Sequence, residues 1–265
     1  MRASSALRQC DYVCLECGQV VRLRKGAQRR PHFFHLQPNQ ACRQSGKGAV
    51  HLSVQHAVLE QLPAGEAEME HRFESIGRIA DIAWVPQKIV FEIQCAPITA
   101  AEVMERNRDY ASLGYDVVWI LHADRYNKKR MTSAEEVLST RAHYFTNIDE
   151  EGKGSIFDQY AVTQSGRRSF RFPPFAVDVA KPFIMSARIN AVLPSFQKRY
   201  NAWTHGFAGD YVDVLHQGDQ RLDSWLAKLE DSRLTLWGKI HYFWSTWVVR
   251  PYQIILRHIL EKCCR

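Results

Sequence analysis

The sequence predicts an α/β protein with a core of order αβββαβ over residues 48–125. A zinc-ribbon-like basic module at 8–47 precedes it, and a mixed extension at 126–180 and a largely helical region at 181–265 follow. Three observations carry this reading. Apolar residues at helical spacing from Val50 to Leu62 stop at Pro63. Two runs rich in Ile, Val, Phe and Trp flank Val85-Pro86-Gln87-Lys88, with Pro at the second position of a type I turn, and so read as a hairpin. Finally Thr99-Ala-Ala-Glu102, a capping box, opens a helix that Gly114 ends, and the apolar run DVVWIL at 116–121 follows as a buried strand parallel to its predecessor.

In chain order, the N-terminal module comes first. Cys14-Leu-Glu-Cys17 runs into Gly18, which suits a tight knuckle, and His32-Phe-Phe-His35 lies downstream. Two close pairs of thiolate and imidazole ligands at this spacing predict a structural Zn²⁺ site of Cys14, Cys17, His32 and His35, with Cys10 and Cys42 as spare ligands. Residues 1–48 hold nine Lys or Arg against Asp11 and Glu16, so the formal charge of +7 is concentrated at this end of the chain. Arg22, Arg24, Lys25, Arg29 and Arg30 are placed to meet phosphates, and the partner expected of such a module is a polyanion, DNA above all. A merely solvated basic face is the alternative.

The helix at 50–62 carries His51 and Gln55 four residues apart on its polar side. EAEMEHRF then reads as a first strand with Glu66, Glu68 and Glu70 on one face. If the hairpin pairs symmetrically about Pro86 and Gln87, Trp84 faces Ile89 and Asp81 lies across from Glu92. Alternation then puts Asp81, Glu92 and Gln94 on one face, and Ala80, Ile82, Trp84, Ile89, Phe91 and Ile93 on an apolar opposite face. Two carboxylates across a ladder repel unless a cation lies between them, and all-oxygen ligands suit Mg²⁺ or Mn²⁺. Such an ion activates water and neutralises charge on a scissile phosphate, the chemistry of a nuclease. On the helix at 99–113, Val103, Arg106 and Tyr110 fall on one side.

The order of elements, with Asp on the second strand and Glu-x-Gln on the third, resembles the PD-(D/E)XK nuclease superfamily and its restriction-endonuclease-like core. The stretches RIADIAW, FEIQCAPIT, ERNRDY and DVVWIL, behind a CxxC…HxxH module, are similar to the competence protein CoiA family. The resemblance implies a Mg²⁺-dependent deoxyribonuclease acting on DNA, single-stranded or a recombination intermediate, during uptake and recombination in natural transformation, alongside competence or recombination proteins. It implies Asp81 and Glu92 as metal-binding acids and Gln94 as the water-positioning residue where most of the superfamily has Lys. A neutral Gln can orient water but adds no charge. The acid usual on the family's first helix is absent here; His51 is then a catalytic residue, metal ligand or shuttle, or else a core histidine. Glu70 is an accessory ligand or a charged edge residue. Arg78 at the strand's start and Arg106 on the crossover helix are phosphate contacts, and Arg106 is alternatively a brace for the acids. A nuclease-fold DNA-binding adaptor without cleavage is the other function consistent with these departures.

In the extension, Arg167, Arg168, Phe170, Arg171 and Phe172 interleave bases and aromatics, which suits stacking on single strands or packing on the core. The apolar tail from Leu234 is interrupted by Lys239, His241, Arg250 and Pro251, so it is expected to pack on the body or to dock on a membrane or a partner, and not to span a bilayer. With no apolar leader segment and seven cysteines but no disulfide pattern, the chain is read as cytoplasmic, possible membrane proximity resting on that tail alone.

Overall fold

The computed structural model describes residues 6–14, 17–26, 31–37, 42, 47–164, 166–185, 199 and 201–217. Three short antiparallel strands, β1 (Asp11–Val13), β2 (Val20–Arg24) and β3 (His32–His35), form the N-terminal module in the order β1-β2-β3. Its turn closes where the sequence placed a knuckle: the Gly18 amide donates to the Cys14 carbonyl at 2.8 Å, and Gly18 has φ +70°, a conformation glycine adopts without strain.

From residue 49 the chain runs α1 (Ala49–Gln61), β4 (Ala67–Phe73), β5 (Arg78–Trp84), β6 (Ile89–Gln94), α2 (Ala100–Ser112) and β7 (Asp116–His122). The hairpin has the register expected of it, with Trp84 opposite Ile89, and the Lys88 amide closes its turn on the Val85 carbonyl at 3.1 Å. β6 and β7 are parallel, joined through α2, whose Thr99 cap accepts from the Glu102 amide at 3.1 Å. The sheet does not end there. After α3 (Ser133–Leu138), strands β8 (His143–Thr146), β9 (Ile156–Asp158) and β12 (Phe175–Ala176) extend it to seven strands in the order β12-β9-β8-β7-β6-β5-β4. The extension therefore shares the core's sheet.

One layer of side chains, including Val54 and Val58 of α1 with Ile82, Trp84, Phe91 and Ile93, packs on one face. Ala83, Val90, Val103, Tyr110 and Trp119 pack around α2 on the other. Ala80, expected with Ile82, falls in the α2 layer instead. The cause is local: β4 and β5 pair Met69 with Ile82 and then His71 with Ala80, and Glu70 between them has φ +55°, in the left-handed region that disfavours side-chain-bearing residues. Strict alternation fails at the position of Asp81.

β10 (Ala161–Gln164) and β11 (Arg167–Arg171) form a separate hairpin. Arg168 is buried there against Glu135 at 2.7 Å and Phe172 packs on Tyr211, so these two serve packing, not base stacking. The side chain of Phe170 lies outside the described residues. Contrary to the helical reading of 181–265, β13 (Asp178–Ile184) pairs antiparallel with β14 (His205–Ala208), ahead of a short α4 (Tyr211–His216). Residues 218–265, with the apolar tail and Cys263-Cys264, lie outside the described residues. Among the described residues no helix is long and apolar enough to cross a membrane.

Candidate functional site

The carboxylates of Asp81 and Glu92 are almost wholly buried, at 4% and 1% exposure, and are held from opposite sides of the sheet. The β5–β6 ladder runs from Trp84 to Ile82, and just past it Asp81 Oδ2 accepts the Ile93 amide at 2.7 Å. Its Oδ1 takes three donors: Lys47 Nζ at 2.7 Å, His51 Nε2 at 3.1 Å and Gln55 Nε2 at 3.3 Å. His51 and Gln55 reach it together because they lie one turn apart on α1. Glu92 is clamped from α2, where Arg106 Nη1 donates to Oε2 at 2.6 Å and the Tyr110 hydroxyl to Oε1 at 2.7 Å. In place of the expected shared face, Asp81 is thus anchored from Lys47 and α1, and Glu92 from α2.

Burial opposes ionisation of Asp81, yet His51 and Lys47 outweigh it and hold the carboxyl well below the usual carboxylate range. Glu92 moves the other way: burial and the charge of Asp81 raise it, against the pull of Arg106 and Tyr110. The charge of Asp81 thus acts on Glu92, as expected of two buried acids near one another. Burial first, and Asp81 with it, also pushes the Cys95 thiol up to about 12, so this cysteine is an unreactive neutral neighbour.

Asp81 lines a cleft of about 450 Å³ together with Lys47, His51, Gln94 and Arg106. Gln94 stands at the cleft with its amide nitrogen tied to the Ala96 carbonyl at 2.7 Å. Arg78 lines the cleft too, but its guanidinium is bound by Glu102 at 3.3 Å, Glu105 at 3.0 Å and Asp109 at 2.8 Å. Arg106 also shares Glu102, at 2.8 Å, so it acts here as a brace for Glu92. Carboxylate and amide oxygens are the ligands a divalent ion such as Mg²⁺ takes, and Gln55 Oε1 is buried without a hydrogen bond. Sequence reasoning missed Lys47 and the role of Tyr110. No local pattern marks Lys47, which precedes α1 and reaches Asp81 only in the fold; Tyr110 was detectable from its i, i+4 spacing to Arg106.

In the N-terminal module, Cys14, Cys17, His35 and Cys42 bring their ligand atoms within 4.8 Å of one another, a cluster that could bind zinc. The Cys14–Cys42 sulfur separation is 3.7 Å and Cys17 Sγ lies 3.3 Å from His35 Nε2. A tetrahedron with Zn–S near 2.3 Å separates its ligands by about 3.5–3.8 Å. Burial pushes the Cys17 thiol up, but the Gln19 amide, His35 and the other two thiols outweigh it and bring it down to about 7, as suits a thiolate ligand. Among the described residues Cys42 is the fourth member of the group. For the expected pair of His32 and His35, strand geometry matters: positions three apart on a strand address opposite faces, so a pair spaced like 32 and 35 converges on one ion only in a helix or loop. The side chain of His32, and Arg29 and Arg30, lie outside the described residues. Of the other basic residues, Arg22 pairs with Asp11 at 2.5 Å, Arg24 lies 4.6 Å over the Phe34 ring, and Lys25 is exposed.

Comparison with known proteins adds two matches. Residues 48–165 match the model of the competence protein CoiA nuclease-like domain, and residues 2–45 match that of the competence protein CoiA N-terminal domain. No curated protein and no solved structure matches the chain. Together the two models account for more than half of the 265 residues, in the order the sequence arranged them, and the chain belongs to the competence protein CoiA family.

Proposed function

We propose that this chain is a metal-dependent DNA-processing nuclease of restriction-endonuclease-like core, hydrolysing phosphodiester bonds of DNA handled during uptake and recombination in the cytoplasm. The observation that carries the reading is a pair of buried carboxylates that act on one another, Asp81 and Glu92, the first of them lining a cleft that Lys47, Arg78 and Arg106 also line. Asp81 and Glu92 would hold Mg²⁺ or Mn²⁺, and the ion would supply an activated water and charge neutralisation at the scissile phosphate. Gln94, at the cleft wall, orients the attacking water. His51 fixes Asp81 through Nε2 and is placed to hold a proton at that atom. Arg106 keeps Glu92 in place and sets a positive charge against the departing phosphate oxygens. The zinc-binding ribbon, with Arg22, Arg24, Lys25, Arg29 and Arg30, grips the DNA backbone of a single strand or a recombination intermediate.

A specific observation favours the second reading, a DNA-binding adaptor without cleavage: both acids are already neutralised by protein cations, and Gln94 spends its amide nitrogen on Ala96. Labelled single- and double-stranded DNA incubated with the protein and Mg²⁺ or Mn²⁺ separates the two. Cleavage is expected, with Asp81→Asn and Glu92→Gln each lowering it by at least ~10²-fold, since even groups one shell removed from a metal contribute ~10–100-fold. DNA binding without cleavage selects the adaptor, and cleavage untouched by either substitution refutes the site.

A further inference from the structure

Lys47 bridges Glu70 and Asp81: its Nζ lies 2.6 Å from Glu70 Oε1 and 2.7 Å from Asp81 Oδ1. Its side chain is 17% exposed, so the ammonium is largely withdrawn from water. Of the Asp81 oxygens, Oδ2 is bound to a backbone amide, and the partners of Oδ1 other than Lys47 are fixed on α1. A divalent ion that takes Oδ1 must therefore displace the lysine, which has a flexible stem and a charge that the ion repels. The amide of Gln55 shows what the present state leaves undone. It turns its nitrogen to Glu70 at 2.7 Å and to Asp81, and its oxygen is left buried with no partner. Rotated by half a turn, the same amide would add an oxygen ligand beside the two carboxylates.

We propose that Lys47 is a tethered cation that holds Asp81 and Glu70 together in the metal-free chain and is expelled by the divalent ion, so that metal loading and lysine release are one exchange. The proposal rests on the reading of Asp81 as a metal ligand. The freed ammonium remains at the mouth of the cleft, where Arg106 and Gln94 also stand, and there meets the DNA phosphate. Because Lys47 follows Cys42 along the chain, the segment that bears the last ligand of the cysteine and histidine cluster also bears this lysine.

Thermal unfolding of the zinc-loaded full chain, recorded across Mn²⁺ concentrations, reads the exchange without reference to cleavage, because an ion that binds only the folded state raises the midpoint by an amount that grows with the logarithm of its concentration relative to Kd. Lys47→Gln is expected to melt lower than the parent without added Mn²⁺ yet to bind Mn²⁺ at least about tenfold more tightly, and Glu70→Gln in that background to remove part of the gain. Lys47→Arg, which keeps the charge, is expected to bind no more tightly than the parent. Equal or weaker Mn²⁺ affinity in Lys47→Gln, or equally tightened affinity in Lys47→Arg, overturns the exchange. If the parent responds to Mn²⁺, loses that response in Asp81→Asn and keeps it unaltered in Lys47→Gln, the exchange alone fails; if no variant responds, the metal reading of Asp81 fails with it.

Discussion

Replacing Cys42 with Ser is expected to strip zinc from the N-terminal module and to unfold β1–β3 while the seven-stranded sheet persists. Among the described residues of that module only Ala6, Val21, Leu23 and Cys42 are buried, far too little apolar surface to hold three short strands. A structural Cys₃His zinc contributes about 10–16 kcal/mol of apparent binding energy in small domains, so losing one thiolate leaves the ribbon without its main support. Metal analysis and limited proteolysis report the outcome: Cys17→Ser and Cys42→Ser lose zinc and become cleavable before residue 47, and His32→Ala keeps both zinc and resistance. Zinc retained in Cys42→Ser and lost in His32→Ala would restore the ligand set read from the CxxC…HxxH spacing.

Arg199→Ala is expected to cost about 3–5 kcal/mol, the range for a buried ion pair deprived of one partner. Arg199 meets Asp158 of β9 through two nitrogens, at 2.5 and 3.0 Å, and Asp158 is fully buried and also accepts the Tyr211 amide. The guanidinium stacks 4.3 Å from the Trp203 ring centre, tying the residues around β14 to the edge of the main sheet. Burial and then Asp158 raise Asp210 to about 6, so this carboxyl holds its proton more tightly when folded. A raised folded-state value gives stability at low pH that disappears as pH rises through about 6. Without Arg199 the same two acids lose their shared counter-charge, and the deficit in urea unfolding is expected to be larger at pH 8 than at pH 5. A deficit that does not vary with pH would show that packing on Trp203, not charge, is what Arg199 supplies.

The hairpin and its surroundings were legible because each signal was local: Pro86 in the turn, alternation from Trp84 back to Ile82, the Thr99 cap and Gly114 stop. What escaped depended on distant partners. Alternation assigned Asp81 and Glu92 one face, but Glu70 at φ +55° interrupts the neighbouring pairing, and Asp81 is claimed by α1 where Glu92 is claimed by α2. Lys47 has no signature before the fold brings it to Asp81. The strands β8, β9 and β12 are too short to show a period and gain their order from the sheet edge they join. β13 contains Pro182, which argues against a strand by propensity, yet it pairs with β14 in a two-stranded ribbon where a missing donor is tolerated.

Direct titration of the zinc-loaded chain with Mn²⁺, followed by electron paramagnetic resonance, addresses the pair of acids most directly. The proposed sharing of one ion by Asp81 and Glu92 predicts a bound Mn²⁺ that is lost both in Asp81→Asn and in Glu92→Gln. A bound Mn²⁺ that survives either substitution would contradict a shared metal site.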